Sequence, residues 1–310
     1  MKSGSNLEKV LESGSFAVTA ELGPPKGTGT KTILRKAEQL KGAVDAVNIT
    51  DNQTAITRMC SLAVCSIVKQ AGVEPVMQIT CRDRNRLAIQ ADVLGAVALG
   101  IRNILCLSGD HQKFGNHPGA KNVYDIDSIQ LVQILHGMRE RHKFASGDDF
   151  SGEAPLFVGG AANPYADPYE YRVIRLGKKI KAGADFIQTQ AVFDVKKFER
   201  WMGMVRDRGY DQQVSILAGV IPIKSAAMAR YMRDTVSGVA VPDEIVTRLE
   251  QTKDVKEEGV KICLEIIEQV RQIPGVKGIH MMAVGWEEMV PTIVERAGLL
   301  PRPTFQAAAS

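Results

Sequence analysis

Short apolar runs rich in β-branched residues alternate with longer stretches of helical period along almost the whole chain. Eight runs read as strands: "FAVTAE" (16–21), "AVNIT" (46–50), "PVMQITC" (75–81), "NILCLSG" (103–109), "LFVGGAA" (156–162), "FIQTQ" (186–190), "SILAGVI" (215–221) and "GIHMMA" (278–283). Apolar residues predominate in most of them, as in strands covered on both faces. Helical patterns fall between them, over 30–40, 85–99, 127–140, 169–182 and 255–272, several ending in the "AG" or "LG" that stops a helix. This alternation predicts parallel strands joined by helices. Eight such units in 310 residues predict a (β/α)8 barrel, a single domain over 1–310 with a short N-terminal extension and a short C-terminal tail. A doubly wound open sheet is the alternative. It is weakened after the first run, where "ELGPPKGTG" has prolines in place of the glycines of a pyrophosphate-binding turn.

Composition narrows the function classes. The formal net charge of +4 is spread along the chain, with no basic stripe and only 5% aromatic residues, which argues against nucleic-acid binding. The five cysteines (Cys60, Cys65, Cys81, Cys106, Cys263) form no CxxC pair, and the five histidines form no HxxxH pair. Reduced thiols and no bound metal are the expectation. Neither a signal-peptide pattern at the start nor an apolar run of membrane-spanning length is present, so a cytoplasmic protein without a membrane span is expected.

A barrel of this kind does its chemistry where strands run out into the following loops. The residues there are polar: Glu21; Thr50, Asp51 and Asn52; Gln78 and Thr80; Ser108 and Asp110; Asn163; Thr189 and Gln190; and His280. Thr50, Asp51 and Asn163 read equally well as helix caps. Glu21 does not, because Leu22, Gly23, Pro24 and Pro25 follow it. A carboxyl at an apolar rim is partly desolvated, which favours its protonated form and suits a general acid. Asp110 follows a glycine that permits close backbone approach to a ligand; ionised beside a protonated Glu21, it would stabilise a developing cation. Gln190 can hold a heterocycle through an amide that both donates and accepts. The Gly-, His- and Asn-rich connection 110–127 is a candidate active-site loop, whereas 143–155 precedes a strand and belongs to the inert face.

These positions carry a resemblance. "TAELGPPK", "QITCRDRN", "GIRNILCLSGD", "AGADFIQTQAVFD", "GVIPI" and "GVKGIHMMAVGWEEM" occur in this order across nearly the whole chain, and together they resemble the methylenetetrahydrofolate reductase family. That resemblance implies a flavin-dependent (β/α)8 barrel reducing 5,10-methylenetetrahydrofolate to 5-methyltetrahydrofolate, by hydride transfer from flavin N5 to the methylene carbon. It implies Glu21 as the acid that assists ring opening, Asp110 as the group that stabilises the iminium cation, and Gln190 as the residue that orients the pterin, with Thr189, Gln78 and Tyr231 around the substrate. Thr50, Ser108, Gly109, Asp110, Tyr124, Ala161, Ala162 and Asn163 would line the flavin, and Lys178 and Lys179 would approach its phosphate.

Some residues depart from the family pattern. Leu22 and Gly23 precede the double proline where many members have two phenylalanines, and Asp167 stands where many FAD-containing members have histidine. Arg172 and Arg175 replace acidic or amide contacts, and Met228, Tyr231 and Met232 replace the glutamine and phenylalanine beside the pterin. FMN is therefore an alternative to FAD. The wording of "GGAANP" and "IQTQAVFD" is similar to the short reductases of anaerobic one-carbon pathways. That similarity, closer than that to the NADH-linked type, implies an iron–sulfur or zinc-containing partner subunit; the expected electron donor is NAD(P)H or a ferredoxin-linked system, and the expected assembly an oligomer or hetero-complex. The competing readings are a flavin-binding electron-transfer or scaffold subunit with little folate turnover, and a Schiff-base aldolase. The last is disfavoured because no strand run ends in lysine and Lys224 lies out in a loop.

Overall fold

The computed structural model describes residues 1–236 and 238–305. Eight parallel strands close into a barrel in sequence order: β1 (Ala17–Leu22), β2 (Ala46–Ile49), β3 (Pro75–Thr80), β4 (Asn103–Leu107), β5 (Phe157–Ala162), β6 (Phe186–Ala191), β7 (Ser215–Val220) and β8 (Val276–Met281). Each lies within two residues of the run read from the sequence. The helices are α1 (Asn6–Glu12), α2 (Lys31–Leu40), α3 (Ser61–Gln70), α4 (Arg86–Ala98), α5 (Ser128–Arg141), α6 (Tyr169–Lys181), α7 (Val195–Arg206), α8 (Ala226–Thr235), α9 (Asp243–Gln251), α10 (Val255–Gln272) and α11 (Val290–Arg296). The closure is a parallel pairing of β1 with β8, Thr19 facing His280. The open-sheet alternative is thereby removed.

Local chemistry explains where the helices begin. Asp127 caps α5 through a reciprocal box with Gln130, which satisfies N–H groups that have no partner within the helix. Ser225 and Asp254 cap α8 and α10 more simply, each accepting from one backbone amide, that of Met228 or Glu257. One face of each helix then packs on the barrel: Ile33, Ala37 and Leu40 are the buried positions of α2, at the spacing of an amphipathic helix. α10 lies so close to the end of β7 that a side chain at Gly259 would meet the carbonyl oxygen of Ile223 at 1.7 Å.

The barrel has two cores. One fills the space between strands and helices. The other lies inside the barrel at its lower end, where Leu7, Val10 and Leu11 of α1 pack on Ala17, Ala46, Val76, Leu105, Phe157, Phe186 and Leu217. The Phe157 and Phe186 rings stack with centroids 5.1 Å apart. Gly159 makes room for this pair, since a Cβ there would sit 2.2 Å from the Phe186 ring. The floor of the barrel is therefore closed by apolar packing, and its polar interior begins one layer higher.

Candidate active site at the barrel mouth

Above the apolar floor the inward-facing residues become amides, a hydroxyl, an imidazole and a carboxylate. Gln188 donates both amide hydrogens, to Thr19 Oγ1 and Asn48 Oδ1, each at 3.1 Å, and Asn48 Nδ2 donates back to Gln188 Oε1 at 2.6 Å. Thr19 Oγ1 lies 3.0 Å from His280 Nδ1, and His280 Nε2 lies 3.7 Å from Glu21 Oε2. Gln53 donates to Glu21 Oε1 at 3.2 Å. Thr19, Asn48, Gln188 and His280 are all buried, and a connected polar network there avoids the cost of stranded groups in a low-dielectric interior. The last member, Glu21, reaches the mouth.

The mouth holds a cavity of ≈ 440 Å³, a size that suits a small-molecule site. Glu21, Gln78, Ser108, Asp110, Ala161, Ala162, Asn163, Lys179, Thr189 and Gln190 all line it. A neighbouring cavity of ≈ 270 Å³ shares Glu21, Gln78, Ser108 and Asp110 and adds Thr50 and Gly109. Thr50 Oγ1 is buried there with no hydrogen-bond partner among the described residues, an acceptor and donor left for a ligand. Three of the residues that the resemblance places at the site lie outside both linings. Tyr231 is 59% exposed on α8; Tyr124 is half-exposed and donates to the Gly109 carbonyl at 3.2 Å; Lys178 points outward, over the Tyr171 ring. None of Thr50, Asp51 and Asn163 caps a helix. Asp51 accepts from Thr80 and Arg84, and Asn163 closes a turn by accepting from the Tyr165 and Ala166 amides.

A bulge presents Gln190. Gln188 pairs with Leu217 and Ala191 with Gly219, so β6 has one residue more than β7 between these points. The Thr189 hydroxyl fills the gap, accepting from Gly219 N at 2.9 Å and donating to Gln190 O at 2.9 Å. Gly219 leaves no room for a side chain, because its Cβ would meet Thr189 O at 2.3 Å. Such bulges re-aim side chains beside functional sites. Thr189 therefore serves the sheet, and Gln190 faces the cavity.

Three cations border the other end of the cavity: Arg172, Arg175 and Lys179. Arg172 is tied to the carbonyls of Ala166 and Asp167. Arg175 has no protein partner among the described residues. Lys179 is buried, donating to Ala161 O at 2.5 Å, and burial, with the Arg175 charge adding to it, pulls its ammonium down to about 8. Uncompensated positive charge in a half-enclosed cleft is the complement of an anionic ligand. Among the described residues no cluster of three or more histidine, cysteine or acidic side chains could hold a metal ion.

The sequence reading did not single out Thr19, Asn48, Gln188 or the buried Arg82. The signal for Gln188 was present: Phe186, Gln188 and Gln190 share one face at a spacing of two.

Comparison with known proteins gives the family. The sequence profile of the family described as methylenetetrahydrofolate reductase matches residues 6–298. Methylenetetrahydrofolate reductase 1 of Schizosaccharomyces pombe is 27% identical over 290 residues, covering 90% of this chain and 45% of that protein. The 5,10-methylenetetrahydrofolate reductase of Pectobacterium carotovorum is 24% identical over 296 residues, covering 93% and 92%. The chain thus spans less than half of the yeast relative and nearly all of the bacterial one. Among solved structures, an uncharacterized protein from Clostridium thermocellum, described as binding two copies of 5-methyl-5,6,7,8-tetrahydrofolic acid, superposes with a TM-score of 0.65 at 14% identity, covering 94% of this chain and 98% of that chain. That likeness establishes the barrel alone. With the profile matching from α1 to the end of α11, the chain belongs to the methylenetetrahydrofolate reductase family.

Proposed function

We propose that this chain reduces 5,10-methylenetetrahydrofolate to 5-methyltetrahydrofolate with a flavin bound at the barrel mouth. The observation that carries the reading is that Glu21, Asp110 and Gln190, from three separate strand ends, line one cavity. The residues present fit a flavin: Lys179 and Arg175 would take its phosphate, the orphaned Thr50 hydroxyl would meet a ring heteroatom, and Ser108, Gly109 and Ala161 to Asn163 would lie along it. When bound, the flavin supplies the hydride. FAD and FMN both present such a phosphate.

The chain's own residues divide the remaining work. Glu21, steadied by Gln53 and facing His280, gives a proton to the substrate's amine nitrogen as the five-membered ring opens. Asp110 stabilises the cation that this opening creates. The Gln190 amide pairs with the edge of the pterin, and the apolar packing beneath the network closes the barrel from below. Electrons arrive from NAD(P)H or a ferredoxin-linked donor, the latter through a partner subunit carrying its own redox centre.

The test uses the purified chain. Its released flavin is identified by mass, and 5-methyltetrahydrofolate is added without oxygen. Bleaching of the flavin band is expected. A bound flavin that stays oxidised, or a chain that takes up no flavin, would overturn the reading.

A further inference from the structure

The groups that hold Asp110 come from three loops and meet at one buried arginine. Arg82, just beyond β3, is 1% exposed, rare for a guanidinium. Its Nε and Nη2 donate to the Asp83 carboxylate at 2.8 and 2.7 Å. The rest of the fork goes elsewhere: Nη2 also donates to the carbonyl of Asn52 at 3.2 Å, and Nη1 to the carbonyl of Asp110 at 3.1 Å. One rigid, planar group thereby ties the loop after β2 to the loop after β4. The far end of the β4 loop returns to the same place, where Val123 N donates to Arg82 O at 2.8 Å.

The loop after β2 is strained where it meets Asp110. Asn52, Thr54 and Ala55 have φ of 46°, 58° and 55°, the left-handed region, with no glycine among them. For the β-branched Thr54 this is an outlier that the surroundings must enforce. The strained turn aims Thr54 N at Asp110 Oδ2, 3.1 Å away, the one protein hydrogen bond to that carboxylate among the described residues. The β4 loop presses the turn into place. Gly115 sits so close that a Cβ would lie 1.8 Å from Ala55 O, and Thr57 N donates to Asn116 Oδ1 at 3.1 Å.

We propose that Arg82 is a positioning residue for Asp110, holding the Asp110 backbone directly and its carboxylate through the strained Asn52–Ala55 turn. A guanidinium serving stability alone would be satisfied by Asp83. Here two of its hydrogens bridge carbonyls of opposing loops, one of them that of Asp110 itself. The proposal rests on the reading above in which Asp110 faces the reacting centre.

The experiment compares the flavin-loaded chain with Arg82→Lys, Asp110→Asn and the double variant, measuring flavin bleaching by 5-methyltetrahydrofolate, folate Kd and amide exchange at Thr54. Arg82→Lys keeps the charge and loses the planar fork. It is expected to slow bleaching by about tenfold or more, as a misplaced catalytic group does, with Kd within about twofold and faster exchange at Thr54. In the Asp110→Asn background it is expected to change the rate by less than about twofold, because coupled residues are not additive. Full multiplication of the two losses, or an unchanged rate and Thr54 amide in Arg82→Lys, would overturn the proposal. Asp83→Asn, which loosens the guanidinium without removing it, carries the same test if Arg82→Lys does not fold. An Asp110→Asn chain with normal bleaching would remove the reading of Asp110 itself, an outcome distinct from uncoupled losses.

Discussion

The two ends of the barrel interior are built from the same eight strands and differ in almost every other respect. At the floor, Phe157, Phe186 and Leu217 meet Leu7, Val10 and Leu11 of α1 in a packed apolar layer. At the mouth, Glu21, Asp110, Gln190 and Lys179 line a cavity, and the layer between is the network of Thr19, Asn48, Gln188 and His280. The contrast shows how one chain separates stability from chemistry along an axis: the floor is held by burial, while the mouth keeps polar groups unpaired or strained. Substitutions at the two ends should therefore fail in different ways.

The largest effect is expected at the mouth. Glu21→Gln should lower turnover by about 10²–10⁴-fold, the usual worth of a positioned acid, with flavin content and melting temperature little changed; near-normal turnover would remove Glu21 as the acid. At the floor, Phe186→Ala should cost about 3–5 kcal/mol of stability, read by denaturant unfolding, while the folded fraction keeps its activity. A loss of activity greater than the loss of folded protein would break the separation. Gln190→Ala should weaken folate binding by about 1–3 kcal/mol, the cost of unpaired polar groups, and leave flavin binding unchanged; equal losses would indicate a packing defect.

The smallest expected effect concerns Lys179. Its ammonium, pulled down to about 8 by burial and the Arg175 charge, loses its proton as pH rises through that value, so affinity for a phosphate-bearing flavin should fall above about 8. Folding responds in the opposite sense. Between about 8 and the ordinary lysine value near 10.4, the unfolded chain holds the proton and the folded one does not, so stability gains with pH across that window. Flavin fluorescence titrations at several pH values would show the first effect, and a flat profile would exclude Lys179 from the phosphate contact.

The strands were legible because double-sided burial leaves mostly apolar runs, and Glu21, Asp110 and Gln190 were legible as residues of the barrel mouth because they stand at the ends of those runs. Lys178 and Lys179 were not separable in the sequence. Neighbours on a helix point about 100° apart, so only one of the pair could line the cavity, and the sequence does not say which. Gln188 was legible in principle, through its shared face with Phe186 and Gln190, but its role depends on Thr19 and Asn48 of other strands, which the sequence does not bring together. Arg82 was hidden, since a charged residue among charged neighbours reads as surface, and its burial depends on carbonyls supplied by loops far away in the chain. The left-handed turn at Thr54 and Ala55 carries no glycine to announce it. The β4 loop packs directly against it, with Gly115 close to the Ala55 carbonyl.

The closed floor also bears on how such a protein can change over generations. Because α1 and the stacked phenylalanines seal the barrel from below, insertions and substitutions in the rim loops disturb little of what keeps the chain folded. A lineage can therefore retune ligand and electron source by editing the rim while inheriting the base intact. Drift at Phe157, Gly159 or Phe186 would be purged for its effect on folding, whichever donor or substrate the rim had come to serve.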